Sequence, residues 1–331
     1  MIDPRVRQGL GPEPMADPES GWLLLLAAAR VARRLGCSGD PRSFGWLAPD
    51  RLLPLPAGDP RAILHWCPRR GWQVGRALEA DGPVRDLVQL YLPLCGVSPG
   101  RPLTVAHLGQ SLDGYIATAS GDSCYVTGPE NILHLHRMRA LCDAIVVGPG
   151  TVAQDDPQLT TRLAPGPNPT RVVLDPARRL DPSLGVFSDG AAATLLFCAS
   201  EQVRGGAARV GLAEVIGVPA RDRRLDLQQV LEALHQRGLQ AVFIEGGGVT
   251  VSRFLEAGLL DRLQLTIAPL LIGRGRPGIR LPVVEPLADC LRPSHRLYRM
   301  GQDLLFDCDL RDGGPKAHGR PPAGAAPRWI R

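Results

Sequence analysis

The sequence predicts an α/β protein with a mainly parallel, twisted sheet covered by helices, and three observations support this fold class. The chain has 331 residues, 44% hydrophobic and 21% charged, as is typical of a globular protein with one or two domains. From residue 103 onward, short apolar runs alternate with helix-length segments, as they do in parallel sheets. Two of the runs end in glycine clusters, at 148–150 and 246–248, and open α/β sheets bind ligands at such strand ends.

The individual elements follow from apolar spacing and length. Strand-like runs are short and rich in β-branched residues, whereas helical segments repeat their apolar residues every three or four positions. The predicted strands are 103–107, 144–147, 170–174, 194–198, 241–244, 263–267 and 304–308. The predicted helices are 21–35, 129–141, 225–236 and 250–257.

Three regions are predicted along the chain. Residues 1–100 form a partly helical N-terminal extension of unknown role, and its first stretch, 1–20, is expected to be mobile. The extension contains four of the five tryptophans, so it must pack on itself or on the following domain. A short linker leads into the domain at 101–310, and the Gly/Pro-rich tail at 311–331 is predicted to be disordered.

The charge distribution argues against nucleic acid as a partner of the body of the chain. The formal net charge is +5, but the tail at 311–331 holds five basic residues and one acidic residue, which is +4 of that total. The remaining body is close to neutral and offers no basic face that could follow phosphates. Lys316 is the only lysine and lies in the tail, which argues against Schiff-base chemistry.

Cysteine usage and hydropathy indicate a cytoplasmic protein without a membrane segment. Eight cysteines are scattered with no C-x-x-C pair, as expected of free thiols in a reducing compartment. The apolar run 22–29 is too short to cross a bilayer, and acidic residues outnumber basic ones before it. The cluster His65-Trp66-Cys67 lacks a second ligand pair, so it is interpreted as packing and no metal site is predicted.

The stretch 139–162 organises the domain. A buried strand is predicted to end at 148–151, where glycines let a ligand approach the backbone, and Asp155 and Asp156 follow. A glycine pair of this kind is, by itself, more often an ordinary strand-to-loop turn. Its meaning therefore depends on the other segments.

The second glycine cluster follows a predicted strand and opens a predicted helix. Free amides at such a helix start suit a phosphate or pyrophosphate, although a capping turn would also explain the glycines. Glu245 would repel a phosphate, so it is predicted to face a neutral, hydrogen-bonding group. A turn-rich stretch at 111–123 has no functional meaning by itself.

Six segments between Arg101 and Leu310 carry more information together than singly. They are S-L-D-G (111–114), A-S-G-D-S (119–123), G-P-G-T-V-A-Q-D-D-P-Q-L-T-T-R (148–162), V-V-L-D (172–175), E-G-G-G (245–248) and A-P-L-L-I-G (268–273). In this order they resemble the reductase domain of the bacterial riboflavin-biosynthesis deaminase/reductase family. The resemblance implies a dihydrofolate-reductase-like fold, NADPH as cofactor, and a small-molecule substrate. That substrate is 5-amino-6-(5-phosphoribosylamino)uracil, whose ribose is reduced to a ribityl chain by hydride transfer to C1′.

The resemblance also implies roles for individual residues. Asp155 and Glu245 would be catalytic-site carboxylates. Because adjacent side chains cannot both face one ligand, Asp156 is predicted to bond to the turn backbone beside Pro157. The implied substrate contacts are Ser123, Arg139, Leu159, Arg162 and Glu245. The implied cofactor contacts are Gly109, Tyr125, Gly148, Gly150, Thr151, Asp155, Arg178, Gly247, Gly248, Val249, Thr250, Val251, Ser252 and Arg253.

Some positions depart from the family pattern. His107 stands where many relatives have lysine, and Tyr115 where they have lysine or arginine. Pro176 stands where the family often has a serine near the cofactor's 2′-phosphate, so Arg178 or Arg179 is expected to bind that phosphate instead. The zinc deaminase that is the usual fusion partner is not recognisable, since no H-x-E with a later P-C-x-x-C occurs in the sequence.

The resemblance further implies a homodimer, and the sequence is compatible with more than one function. Relatives pair through their sheets, and the predicted strand 304–308 is apolar enough to need covering as an edge strand. A related reductase acting on another pyrimidine or a pterin would be consistent with the departures. The sequence is also compatible with a non-catalytic NADPH-binding module, or with nucleic-acid binding through the tail at 311–331.

Overall fold

The structure is a computed structural model, and it describes residues 17–36, 40–47, 50–78, 82–98, 100–124, 126–203 and 208–311. Most of the N-terminal stretch predicted to be mobile, the tail beyond Arg311 and the predicted cofactor contact Tyr125 lie outside the described residues. Within these ranges, no helix combines the length and the apolar character that a membrane span requires.

The described residues form sheets of four and ten strands, two short two-stranded sheets and seven α-helices. The helices are α1 (Pro18–Leu35), α2 (Pro83–Cys95), α3 (Pro129–Leu141), α4 (Pro149–Asp155), α5 (Gly185–Ser188), α6 (Leu227–Gln236) and α7 (Gly248–Glu256). The strands are β1 (Arg42–Leu47), β2 (Arg51–Leu55), β3 (Leu64–Cys67), β4 (Gly71–Val74), β5 (Leu103–Ser111), β6 (Tyr115–Thr118), β7 (Ala144–Val147), β8 (Thr170–Leu174), β9 (Thr194–Ala199), β10 (Arg209–Val210), β11 (Ala213–Val218), β12 (Ala220–Arg221), β13 (Arg224–Leu225), β14 (Ala241–Ile244), β15 (Arg262–Ala268), β16 (Gly275–Pro277), β17 (Ser294–Met300) and β18 (Asp303–Asp309).

The N-terminal extension folds as two helices and a four-stranded antiparallel sheet, in the order β2-β1-β3-β4. Helix α1 begins at Pro18, because the Asp17 side chain accepts a hydrogen bond from the Ser20 amide at 2.9 Å, and it ends before Gly36. The predicted helix 21–35 is therefore confirmed. Helix α2 and the four strands were not predicted, because prolines such as Pro54 and Pro93 interrupt their apolar pattern.

The extension packs on the following domain as well as on itself. The Trp22 indole donates a hydrogen bond to the Pro165 carbonyl at 2.9 Å, and its buried ring joins one apolar core with residues of the large sheet. The guanidinium of Arg137, on α3, lies 5.5 Å from the Trp22 ring and 5.9 Å from the Tyr91 ring. The extension thus contacts α3 through the rings of Trp22 and Tyr91.

The ten-stranded sheet has the order β10-β11-β9-β8-β7-β14-β5-β15-β18-β17. The seven neighbouring strands from β11 to β15 run parallel, and β10 and β18 run antiparallel to them. Strand β17 pairs antiparallel with β18 and therefore runs in the same direction as the seven. All seven predicted strands and the three predicted helices of this domain are present, with ends shifted by a few residues. The predicted fold class, α/β with a mostly parallel sheet and an N-terminal extension, is confirmed.

Two predictions about this domain are wrong. The run 304–308 is not an edge strand, because β18 lies between β15 and β17. The edge strand β17 is polar at most of its positions, so its sequence did not suggest a strand. The segment after β7, which was expected to be extended or turning, is helix α4, and Pro149 opens it at a position where a missing N–H costs nothing.

Candidate active site

A cleft of about 620 Å³ opens where the parallel strands β5, β7 and β14 end. Since these strands are neighbours and run in one direction, the segments that follow them meet at a single edge of the sheet. A second hollow of about 510 Å³ continues from the cleft past the end of β8. Both share the walls formed by the starts of α4 and α7, namely Gly148, Pro149, Gly150, Val249 and Thr250.

The glycines at this edge of the sheet are required for different physical reasons. A Cβ on Gly148 would lie 2.4 Å from Thr250 Oγ1, and one on Gly248 would lie 2.0 Å from the Gly278 carbonyl oxygen. These two glycines are therefore needed for close packing of the helix starts. Gly150 has no neighbour within 4 Å of such a Cβ, so its face is open to the cleft.

The start of α7 offers backbone donors to the cleft. Gly247 is its N-cap, no side chain of the described residues caps the first turn, and the Gly247 amide donates to Thr151 Oγ1 at 3.3 Å. Gly248 and Val249, the first helical residues, line the cleft. Uncapped first-turn amides lack intrahelical partners and suit an anionic group.

The two adjacent carboxylates at the end of α4 point to different partners. Asp155 lines the cleft, where desolvation by the walls raises its pKa above the ordinary value and the charge of Arg276 opposes that rise. Asp156 has a left-handed backbone (φ 36°), and its Oδ1 accepts a hydrogen bond from the Gly185 amide at 2.8 Å. Its partner is thus the start of α5 rather than the local turn that we expected.

Glu245, which follows β14, lines the cleft and is held from behind by Arg139. Both carboxylate oxygens accept hydrogen bonds from the Arg139 guanidinium, one of them with an Nε–Oε2 distance of 2.8 Å. A third bond runs from Arg139 Nη1 to the Thr160 carbonyl at 3.1 Å. The side chains are only 9% and 17% exposed, so this is a bidentate ion pair in a largely desolvated place.

The predicted substrate contacts do not all reach the cleft. Ser123 and Glu245 line it, whereas Arg139, Leu159 and Arg162 do not. Arg162 lies beside Arg139 behind Glu245, and its Nη1 donates to Thr160 Oγ1 at 2.7 Å. Burial and the nearby Arg139 charge lower the pKa of Arg162.

Most predicted cofactor contacts line the cleft or the second hollow, but three do not. Val251 is fully buried in the core, and Ser252 accepts a hydrogen bond from the Arg280 amide at 2.8 Å. Arg178 donates to the Gln202 carbonyl at 2.9 Å, whereas its neighbour Arg179 lines the second hollow. The predicted contacts on the walls are Gly109, Gly148, Gly150, Thr151, Asp155, Gly247, Gly248, Val249, Thr250 and Arg253.

Sequence reasoning missed several residues that shape the cleft. Arg276, on β16, bonds to the Gln154 side chain of α4, and Gln154 in turn donates to the Gly121 carbonyl at 2.9 Å. Asn131 of α3 and Arg280 also line the cleft. They belong to no motif, and topology alone brings them to this edge. Among the described residues, no group of three His, Cys, Asp or Glu side chains is placed to hold a metal ion.

Two buried histidines form the floor behind the cleft. His107 Nε2 lies 3.0 Å from both Asn131 Oδ1 and Thr266 Oγ1, and its ring is 5.3 Å from that of His134. His134 bonds to Gln264 Oε1 at 3.0 Å and to the Tyr91 hydroxyl of the extension at 2.7 Å. Burial lowers the pKa of His107 to about 4 and lowers that of His134 as well.

These histidines predict a loss of stability in acid. A buried neutral histidine binds no proton in the folded state at a pH where the unfolded chain does, so stability falls as pH drops from 6.5 towards 4. For His107 alone the loss over that window is about 3 kcal/mol. Melting temperatures of the wild type and of His107→Gln across this range should converge as pH falls. A constant difference between them would contradict the prediction.

The comparisons with known proteins agree with this geometry. The family model of the RibD C-terminal domain matches residues 102–287. The chain is 37% identical over 218 residues to the 2,5-diamino-6-ribosylamino-4(3H)-pyrimidinone 5′-phosphate reductase of Methanothermobacter thermautotrophicus, covering 64% of this chain and 99% of that protein. It is 35% identical over 176 residues to the riboflavin biosynthesis protein RibD of Bacillus amyloliquefaciens, covering 53% of this chain and 47% of that protein.

A solved structure shows the same relationship. Acinetobacter baumannii RibD matches with a TM-score of 0.54 and 26% identity, over 68% of this chain and 62% of that one. The chain thus spans about half to three fifths of the length of these RibD proteins, but nearly all of the Methanothermobacter thermautotrophicus reductase. The relationship predicted from the motifs is confirmed: the chain belongs to the RibD C-terminal domain family, whose matched members are named as pyrimidinone phosphate reductases and riboflavin biosynthesis proteins.

Proposed function

We propose that the chain reduces the ribose of a phosphoribosylamino-pyrimidine to a ribityl chain by hydride transfer from NADPH to C1′. The observation that carries the proposal is one continuous groove. Its first part is lined by the carboxylates Asp155 and Glu245, and its second part by three arginines. A groove of this shape suits a reacting centre next to an extended, phosphate-bearing cofactor.

The residues present fit a dinucleotide with a 2′-phosphate. Gly150 leaves open space above the backbone, and the uncapped amides of α7 suit a pyrophosphate. Arg179, Arg223 and Arg253 line the second hollow beside Pro176, so guanidinium groups are available where the proline offers no donor. NADPH bound there would supply the hydride.

The protein's own part is to position the sugar and to manage charge. Glu245, fixed by two bonds from Arg139, is oriented to accept hydrogen bonds from neutral donors such as sugar hydroxyls. Asp155 lies on the wall formed by α4 and is poised to stabilise positive charge at the reacting carbon or to relay a proton. Holding donor and acceptor in one desolvated groove is itself a large contribution to rate.

The decisive experiment is NADPH oxidation with several substrates side by side. They are 5-amino-6-(5-phosphoribosylamino)uracil, 2,5-diamino-6-ribosylamino-4(3H)-pyrimidinone 5′-phosphate and dihydrofolate. We expect turnover with a phosphoribosylamino-pyrimidine. The diamino compound should be preferred, because the reductase that the chain spans over 99% of its length is named for it. A preference for 5-amino-6-(5-phosphoribosylamino)uracil would instead support the substrate that the resemblance implies. NADPH binding without turnover of any of these compounds would support a binding module instead.

Cofactor preference is predicted to depend on Arg179. Arg179→Ala should weaken NADPH binding about tenfold or more while leaving NADH binding unchanged, because a charge-assisted contact to the 2′-phosphate is lost. Arg178→Ala is the matched control, since that guanidinium is engaged with the Gln202 carbonyl. Fluorescence titration of both cofactors measures the effect. An equal loss for NADH, or the larger loss in Arg178→Ala, would refute this assignment.

We further propose a cytoplasmic homodimer, on grounds that differ from the sequence argument. Exposed apolar side chains crowd the segment before the edge strand β17, among them Val283 (89% exposed) and Leu287 (76%). Such a patch on a monomer needs covering. Sedimentation should therefore give a dimer mass for the wild type and a smaller mass for Val283→Asp/Leu287→Asp. A monomeric wild type at micromolar concentration would exclude the dimer.

A further inference from the structure

A second pocket, of about 350 Å³, lies at the seam between the N-terminal extension and the large sheet. The extension contributes the turn between β3 and β4 and the end of α2. The large sheet contributes the start of β15, the start of β17 and the end of β18. Because β15 runs parallel to β5, its start lies at the sheet edge opposite the cleft. The pocket shares no lining residue with the cleft or the second hollow.

The walls of this seam pocket carry an excess of positive charge. Five arginines line it against two aspartates, which leaves +3. Both aspartates already form ion pairs with arginines, one in the large sheet and one just after its last strand. Asp307 bonds to Arg262 through both oxygens, and Asp309 binds Arg311 at 2.6 Å. Arg262 is itself only 7% exposed, so part of this charge is taken out of water.

The remaining arginines come from both sides of the seam. Arg70 belongs to the extension and Arg296 to β17, and neither makes an ion pair within the described part of the chain. Arg101 donates to the Arg70 carbonyl at 2.9 Å and packs on Gly71, where a Cβ would come within 2.8 Å of its Nη1. Like charges converging on one small concavity repel each other, and an anion would relieve that repulsion.

We infer that the seam pocket is a second binding site, specific for a phosphate group carried by a small molecule or present as free phosphate. Guanidinium groups match phosphate oxygens through paired donors, and the volume is at the low end for a small ligand. The covalently attached tail is a poor occupant, because residues 312–331 carry the same sign of charge as the pocket. The extension would thus supply one half of a phosphate site, and the ligand would bridge the two domains.

Calorimetric titration of the full chain, saturated with NADPH so that the cofactor part of the groove is filled, tests this inference, and arginine variants distinguish the seam pocket from the substrate part of the groove. The probes are inorganic phosphate, inorganic pyrophosphate and ribose 5-phosphate, with sulfate and chloride at matched ionic strength. We expect saturable one-to-one binding of at least one phosphate probe and weaker binding of the controls. Tighter binding of ribose 5-phosphate would indicate a phosphate ester as ligand, whereas tighter binding of the inorganic probes would indicate free phosphate.

Variants locate the binding. Arg70→Ala and Arg296→Ala should each weaken it about tenfold or more, since each removes a charge-assisted contact. Arg69→Ala, an exposed neighbour outside the pocket, should leave it unchanged. Melting temperatures should be measured for all three variants to check that each one folds. The inference is overturned by the absence of saturable binding, by binding that NADPH abolishes, or by equal effects of the three substitutions.

Discussion

Asp155→Asn is expected to lower kcat by about 100-fold while leaving NADPH affinity and the melting temperature close to those of the wild type. The expected factor is that of a positioned group that transfers a proton or stabilises charge. The variant keeps the shape of the side chain, and Asp155 lines the cleft, where no residue in the described part of the chain is shown bonded to its carboxylate. Stopped-flow oxidation of NADPH and a cofactor titration separate the two effects.

Asp156→Ala is the matched control, because the two aspartates are adjacent but serve different partners. It removes the acceptor of the Gly185 amide and places alanine at a left-handed backbone (φ 36°), so it should cost about 1–3 kcal/mol of stability. Its kcat should change little. A near-normal kcat in Asp155→Asn, or the larger kinetic loss in Asp156→Ala, would reverse the assignment.

The pH profile of kcat/KM shows whether the ionised or the protonated form of Asp155 is the active one. Its pKa is raised by desolvation, so the ionised form is lost at a higher pH than for an ordinary aspartate. If the carboxylate stabilises positive charge, activity falls as pH drops through this raised pKa. If the protonated form donates a proton, activity falls as pH rises through it. In either case, the fall in kcat/KM that is caused by titration of Asp155 should be absent from the pH profile of Asp155→Asn.

The sequence predicted those parts of the molecule whose signal is local. Apolar runs such as 144–147 and 241–244 form strands because their length and β-branching suit a buried parallel sheet, and each is a strand with those bounds. Helix α4 was missed because it is seven residues long and opens with G-P-G, which favours a turn. Strand β17 was missed because its half-exposed residues give no apolar pattern.

Long-range contacts could not be predicted in the same way. Arg139 and Glu245 are 106 positions apart, and only the neighbouring order of the sheet brings them together. Arg276 is 122 positions from Gln154 and belongs to no recognised motif. The packing of the extension on the large domain could not be predicted either. The hydrogen bond between Tyr91 and His134 joins two regions whose sequences have no pattern in common. The motifs therefore indicated which segments line the cleft, whereas the long-range contacts of those segments became visible only in the fold.

Arg139→Ala and Glu245→Gln are each expected to lower kcat/KM by about 100-fold or more, and the double variant should be no worse than Glu245→Gln alone. Arg139 does not line the cleft, and it holds Glu245 by two hydrogen bonds, so we expect its influence on the reaction to pass through Glu245. If Arg139 instead bound the sugar phosphate directly, its loss would raise KM further in the Glu245→Gln background. Steady-state kinetics on the four proteins complete this cycle.

The free energy of unfolding provides an independent test of the Arg139–Glu245 ion pair. Arg139→Ala leaves a carboxylate that is 17% exposed without its counter-charge, which should cost about 3 kcal/mol in urea denaturation, near the lower bound for a buried pair. Arg139→Lys retains the charge but cannot make the two parallel bonds, so it should recover much of the stability and little of the activity. The decisive comparison is therefore Arg139→Lys against Arg139→Ala. If lysine restores kcat/KM as fully as it restores stability, the guanidinium supplies charge alone. If it restores stability only, the orientation of the Glu245 carboxylate is what the reaction requires.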